Sequence, residues 1–217
     1  MRTTSLIDVD NTLLDNDAAK VEIDRRLDVL LGERGSDQFW AAYEAVRAEQ
    51  GVVDIPRTIA RAVREIGDQA VHRPLAELFM TFPFRDYIYP GALDLLKELR
   101  TQGPVVILSD GDPIFQPVKI ARAGLATAVD GFVLVFPHKE EHLPELAAAF
   151  PADRFLLIDD KPTVIERMTE RAEELGAPLE TILVRQGKYA AQVGDDWAVA
   201  THTVPTIADV RQLVRSQ

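Results

Sequence analysis

With 217 residues, 47% of them hydrophobic and 27% charged, the chain has the length and balance of one globular domain, or of a core carrying a modest inserted lobe. Its 24 basic and 35 acidic side chains leave a net charge of −11. Such a surface repels duplex phosphates and anionic lipid, so general nucleic-acid binding and membrane binding are not expected. A small phosphorylated substrate stays open, because a bound divalent cation and a few basic side chains reverse the field inside one cleft.

Cysteine is absent, which removes disulfides, thiolate catalysis and zinc–thiolate sites. The opening residues run directly into a short apolar strand and then acids, without the apolar stretch of a secretion signal. Nowhere do about 18 apolar residues follow one another. The chain reads as cytoplasmic.

In chain order, the first apolar run is residues 5–7. A block from about 17 to 82 follows with no strand pattern; residues 21–31, 36–50, 56–66 and 74–82 read as amphipathic helices. After a Pro90-Gly91 turn, residues 91–100 place Ala92, Leu95, Leu96 and Leu99 on one helical face. Further apolar runs are 105–108, 132–136, 155–158 and 181–184, with helical patterns over 162–175 and 206–214. Short β-branched and Leu/Phe runs without polar alternation suit strands buried on both faces of a parallel sheet. Their alternation with helices predicts an α/β doubly wound fold. The helical block reads as a separate small lobe, since a crossover between parallel strands usually needs a single helix.

In open α/β sheets, ligands bind beyond the carboxyl ends of the strands. The first run is followed by Asp8-Val9-Asp10-Asn11-Thr12, the second by Ser109-Asp110-Gly111-Asp112 and the fourth by Asp159-Asp160-Lys161. His138 and Lys139 lie beyond the third. Parallel strands bring carboxylates from these ends, a hydroxyl and an ammonium to one rim. Clustered carboxylates repel and are costly to desolvate together, so they call for a cation. Oxygen ligands without His or Cys favour Mg²⁺, the usual partner of a phosphoryl group. Asp8 and Asp10, two apart on an extended strand end, point the same way. One carboxylate can stay ionised as nucleophile and metal ligand while the other handles protons. Asp8 attacking phosphorus gives an acyl phosphate. Asp10 protonates the leaving oxygen and later takes a proton from the hydrolytic water, and Lys139 and Ser109 neutralise and orient the phosphoryl oxygens.

These residues resemble the haloacid dehalogenase superfamily of hydrolases. Asp8-Val9-Asp10-Asn11-Thr12-Leu13-Leu14-Asp15 is similar to its first motif, Val105-Val106-Ile107-Leu108-Ser109 to its second, Lys139 to its third, and Leu156-Leu157-Ile158-Asp159-Asp160 to the paired-acid form of its fourth. Tyr89-Pro90-Gly91 is also typical. The resemblance implies Asp8 as nucleophile and Asp10 as general acid/base. It implies Mg²⁺ held by Asp8, the backbone carbonyl of Asp10 and Asp160, with Asp159 supporting or sharing that role. It further implies a Rossmann-like core with helices on both sheet faces over 1–14 and 88–217. An α-helical cap over 15–87 would close on the site and set specificity. Glu140 stands where a Pro commonly follows the third-motif Lys, which leaves Lys161 as the other candidate for the phosphoryl-binding ammonium.

The expected activity is Mg²⁺-dependent hydrolysis of a small phosphomonoester through an aspartyl-phosphate. The alternatives are haloacid dehalogenation, phosphoryl transfer by a mutase of the same superfamily, and non-catalytic binding on this scaffold. Competing structural readings are a helix N-cap for Ser109, a cap of the 162–175 helix for Asp159 and Asp160, and a solvated surface lysine for Lys139. Thr12 reads as a loop-holding hydroxyl, and Asp110 and Asp112 as turn residues. Tyr43, Arg47 and Arg57 read as helix-surface residues. His138 and His142 share helical spacing, but Lys139 beside them speaks against zinc.

Overall fold

The uninterrupted apolar runs become strands covered on both faces. A computed structural model describes residues 2–194 and 196–215. Strands β1 (Thr3–Ile7), β2 (Val105–Asp110), β3 (Val133–Phe136), β4 (Arg154–Asp159), β5 (Leu179–Val184) and β6 (His202–Val204) form one parallel sheet in the order β3-β2-β1-β4-β5-β6. Ile7 is in register with both Ile107 and Ile158, which brings the carboxyl ends of β1, β2 and β4 to one level.

Side chains alternate across the sheet, as the two-residue strand period demands. Ile7, Ile107, Ile158 and Ile182 point to one face, where they pack with Leu95 and Leu96 of α4 (Ala92–Leu99), Phe115 and Ile120 of α5 (Phe115–Arg122), and Val210 of α10 (Ile207–Arg215). Leu6, Val106, Leu108, Leu157 and Leu183 point to the other, against Leu143 and Leu146 of α7 (Leu143–Ala149) and Ile165 and Met168 of α8 (Pro162–Leu175). Each such buried side chain contributes about 1.5–3 kcal/mol. No helix among the described residues is long and apolar enough to cross a membrane.

Between β1 and β2 lie α1 (Asn16–Gln50), α2 (Ile55–Ile66) and α3 (His72–Thr81). Asp15 caps α1 by accepting from Ala18 N, and Asp54 caps α2 by accepting from Arg57 N. Gly32, at φ 72°, interrupts α1 and divides it into the two arms read from the sequence. The chain leaves and re-enters the sheet region side by side. Leu14 bridges Ile88 in antiparallel fashion, Asp15 N donates to Tyr87 O at 2.8 Å, and Tyr89 N donates to Leu13 O at 3.0 Å. The block's apolar residues, among them Ile23, Leu27, Phe39 and Phe79, run into the core cluster, with Phe79 edge-on to Phe115 at 5.8 Å.

Elements absent from the sequence reading are short or amphiphilic. Strand β6 has three residues; α6 (Leu125–Ala128) and α9 (Gly187–Ala190) have four each, too few for a period to register. Helices α5 and α7 were also not expected. Helix α5 buries Gln116 and Lys119 on its inner face, so polar residues occupy positions a periodicity search assigns to solvent.

A candidate active site at the carboxyl ends of the strands

The strand order reverses at β1, and the chain's return through β4 opens a crevice between these two strands. Asp8 follows β1 and donates its backbone N–H to Ile158 O at 3.0 Å. Asp159 ends β4, and Asp160 comes next. All three acids are buried, and oxygens from the three carboxylates lie within 4.8 Å of one another.

Lys139, fully buried and just beyond β3, reaches into this cluster. Its Nζ donates to Asp8 Oδ1 at 2.5 Å and to Leu108 O at 3.3 Å, and stands 2.6 Å from Asp159 Oδ2. Burial alone would lower its basicity, but the Asp159 and Asp8 charges outweigh it and hold the ammonium well above its usual range. One buried ammonium does not satisfy three clustered carboxyl groups. Asp8 Oδ2 and both Asp160 oxygens are buried without a hydrogen-bond partner. Burial lifts the Asp8 carboxyl to about 6 against the pull of Lys139, with Asp159 adding to the rise. Burial, then Asp159 and Asp8, lift Asp160 to about 9. Three oxygen donors with orphaned lone pairs and unrelieved repulsion fit a hard divalent cation such as Mg²⁺.

Asp10 opens the loop after β1, and its carboxylate takes its partners outside that triad. It is ion-paired with Lys119, and its Oδ2 accepts from Gln116 Nε2 at 3.2 Å. Lys119 also donates to Asn16 Oδ1 at 2.7 Å, and Gln116 Nε2 donates to Ser109 Oγ at 2.9 Å. Gln116 and Lys119, three apart on one face of α5, thereby tie Asp10, Ser109 and the start of α1 together. The sequence reading missed Gln116, Lys119 and Asn16. The available signal was a Gln and a Lys at i, i+3 directly after the second strand-end motif. Gln186 was missed too; its Nε2 donates to the Asn11 and Thr12 carbonyls at 3.4 and 3.3 Å and holds the loop.

Asp110 does more than serve a turn. It accepts from Lys139 N at 3.2 Å and from Lys161 Nζ at 3.2 Å; against burial, these two lysines hold its carboxyl below the ordinary value. Lys161 therefore sits at the rim of the same site, its basicity raised by Asp8 over the opposing effect of burial. Asp112 is the turn residue expected, accepting from Ile114 N at 2.9 Å and Phe115 N at 2.6 Å. Ser109 does not cap α5, and α8 has no side-chain cap from Asp159 or Asp160. The Thr12 hydroxyl is buried without a hydrogen-bond partner, so it does not hold the loop in the way expected; the backbone bonds from Thr12, Leu13 and Leu14 N–H to Val9 O do. His142 stacks on Phe136 at 3.9 Å, and the metal-competent cluster among the described residues contains no histidine.

A cavity of about 390 Å³ opens from Asp10 and Lys161 toward α1, and Tyr43 and Arg47 line it. Arg57 does not; it pairs with Asp54 at 3.6 Å.

Comparison with known proteins agrees with this architecture. A haloacid dehalogenase-like hydrolase family model matches residues 4–183. A crystal structure from Burkholderia xenovorans LB400, described as a haloacid dehalogenase-like hydrolase, shares 34% identity at a TM-score of 0.88, covering 99% of this chain and 97% of that one. The fold alone is shared with a HAD-hydrolase of Bacillus subtilis bound to magnesium (18% identity, 98% of each chain, TM-score 0.64). It is likewise shared with the L-2-haloacid dehalogenase of Xanthobacter autotrophicus carrying covalently bound chloropropionic acid (18% identity, 100% of each chain, TM-score 0.65). Comparison with curated proteins gives no match. The six-stranded parallel sheet, the acids at its carboxyl ends and the match over most of the sequence together make this chain a member of the haloacid dehalogenase-like hydrolase family, and an enzyme of the hydrolase class.

Proposed function

We propose that this hydrolase is a Mg²⁺-dependent phosphomonoesterase that works through an aspartyl-phosphate on Asp8 and takes a small phosphorylated substrate. The observation carrying this reading is the buried Asp8–Asp159–Asp160 cluster, whose orphaned oxygens call for a cation beside the nucleophile. Carbon–halogen cleavage by a carboxylate needs neither that cation nor an acid two residues on.

Asp8, Asp159 and Asp160 would hold the metal, which supplies charge neutralisation to the phosphoryl group when bound. The Asp8 carboxylate attacks phosphorus in line, and the bond to the leaving oxygen breaks. Asp10 donates a proton to that oxygen, then accepts one from the water that hydrolyses the acyl phosphate. Gln116 and Lys119 orient Asp10 for both transfers. Lys139 and Ser109 complement the phosphoryl oxygens, with Lys161 at the rim.

The test is a panel of phosphate esters and 2-haloacids with Mg²⁺ and with chelator. Ester hydrolysis abolished by chelator and by Asp8→Asn is expected. Chelator-insensitive release of halide would replace this reading with dehalogenation, and transfer of phosphate to a second substrate hydroxyl instead of water would replace it with a mutase.

A further inference from the structure

The cavity has two chemically different ends. At the strand-end rim its cations are matched: Lys119 pairs with Asp10, Lys161 with Asp110 at 3.2 Å, and Arg167 with Glu140 at 2.8 Å. Where α1 faces α9, Lys20, Arg47 and Lys188 line the cavity wall. Among the described residues, neither Lys20 nor Lys188 forms an ion pair. Lys20 Nζ donates to Tyr43 Oη at 3.4 Å and lies 4.5 Å from the Tyr43 ring and 5.0 Å from the Trp40 ring. Lys188 Nζ lies 5.3 Å from the Tyr189 ring.

The two acids nearby do little to balance them. Glu44 meets Arg47 at 3.4 Å with both side chains largely in solvent, and Asp17 accepts from the backbone N–H of Lys188 at 3.2 Å. Burial, then the Lys188 and Arg47 charges, lower the basicity of Lys20; Glu44 and Asp17 only partly offset them. Lys20 is half-buried and Arg47 and Lys188 are exposed where they line the cavity, in a protein whose net charge is −11. An anion entering the cavity there meets all three positive side chains and offsets the burial and neighbouring charges that lower the basicity of Lys20.

Tyr189 connects the two ends. Its ring lies 5.7 Å from Lys161 Nζ, and its hydroxyl accepts from Arg47 Nη2 at 3.5 Å. Tyr189 thus borders both the strand-end rim and the cationic group.

Resting on the phosphomonoesterase reading, we infer that the substrate carries a second anionic group at the end opposite its phosphoryl group, seated among Lys20, Arg47 and Lys188. Lys20 and Arg47 come from the helical block and Lys188 from the sheet core, so the second anion is held at the seam between them. A carboxylate and a second phosphate present the same charge to this cluster, and the assay separates them.

The test compares kcat/KM with Mg²⁺ for matched esters: glycerol 3-phosphate against 3-phosphoglycerate, and fructose 6-phosphate against fructose 1,6-bisphosphate, with p-nitrophenyl phosphate as an ester lacking a second anion. A hydrogen bond to a charged group corresponds to about 10- to 100-fold in binding. The expected result is a preference of about tenfold or more for the acid-tailed member of at least one pair, the responding pair telling carboxylate from phosphate. In K20Q/K188Q that preference falls by about tenfold or more, through KM, relative to p-nitrophenyl phosphate. Equal turnover of both members of both pairs, or an equal loss on all esters in a variant that melts like the wild type, overturns the second-anion site and leaves the phosphatase reading standing. Failure of the wild type on every ester, p-nitrophenyl phosphate included, overturns both.

Discussion

Replacing Asp8 with Asn should abolish activity and yet stabilise the metal-free protein. Raising a fully buried carboxyl from its ordinary 3.8 to about 6 means that its ionised form costs the folded state about 3 kcal/mol. The folded value lies above the unfolded one, so the cost is nil below about pH 4, builds as pH rises and is complete above about 6. Asn is neutral, keeps an oxygen to accept from Lys139, and removes the charge facing Asp159 and Asp160. At pH 8 in chelator, Asp8→Asn is therefore expected to melt higher, by up to about 6–12 °C for a chain of this size. The difference should vanish near pH 4. Wild type should recover with Mg²⁺ by mass action, about 2.7 kcal/mol at a hundredfold excess over Kd, whereas the variant, one ligand short, should gain less. Turnover should fall about 10⁴-fold or more. Thermal melts across pH, with chelator and with Mg²⁺, make the measurement. A variant that melts lower than wild type at pH 8 in chelator would refute the claim that Asp8 sits in an anionic field awaiting a cation.

The same field makes metal-free wild type lose stability as pH rises from about 4 toward 9, because Asp160 keeps its proton in the folded state up to about 9 and the unfolded chain does not; melts that rise over this window count against it. Lys139→Met strips the cation from Asp8 and Asp159 and should destabilise by about 3–5 kcal/mol in chelator, read as a lower melting temperature that Mg²⁺ partly restores. Lys119→Met removes the partner of Asp10 and Asn16 and should lower kcat by about 100-fold if Asp10 moves the protons, whereas wild-type kcat would dismiss that orienting role. Gly187 has φ 67°, and a Cβ there would lie 2.5 Å from the Asn11 side chain; Gly187→Ala should cost about 1–3 kcal/mol in stability and disturb the loop that carries Asp10, seen as a lower melting temperature together with lower kcat/KM.

Much of the architecture was legible in the chain. Residues 105–108, 155–158 and 181–184 announced buried parallel strands because both sheet faces are covered, which forces unbroken apolar runs. The helix read over 56–66 is α2, and Gly51 and Gly67 close α1 and α2 with left-handed backbones at φ 74° and 79°. The elements that escaped lacked a period: β6 has three residues, and α5 hides Lys119 and Gln116 where apolar residues are expected.

What the sequence by itself determined is the set of strand-end groups, Asp8, Asp10, Ser109, Lys139, Asp159 and Asp160, because each follows an apolar run and parallel strands align their carboxyl ends. What only the tertiary structure decided is how those groups divide. Lys139 lies between Asp8 and Asp159, Asp10 turns instead to Lys119 and Gln116, and Lys161 pairs with Asp110. Lys20, Arg47 and Lys188 meet across a seam between segments more than a hundred residues apart. Strand position follows from local pattern, but a buried charge chooses its partner by distance and desolvation, and these exist only once the chain has folded.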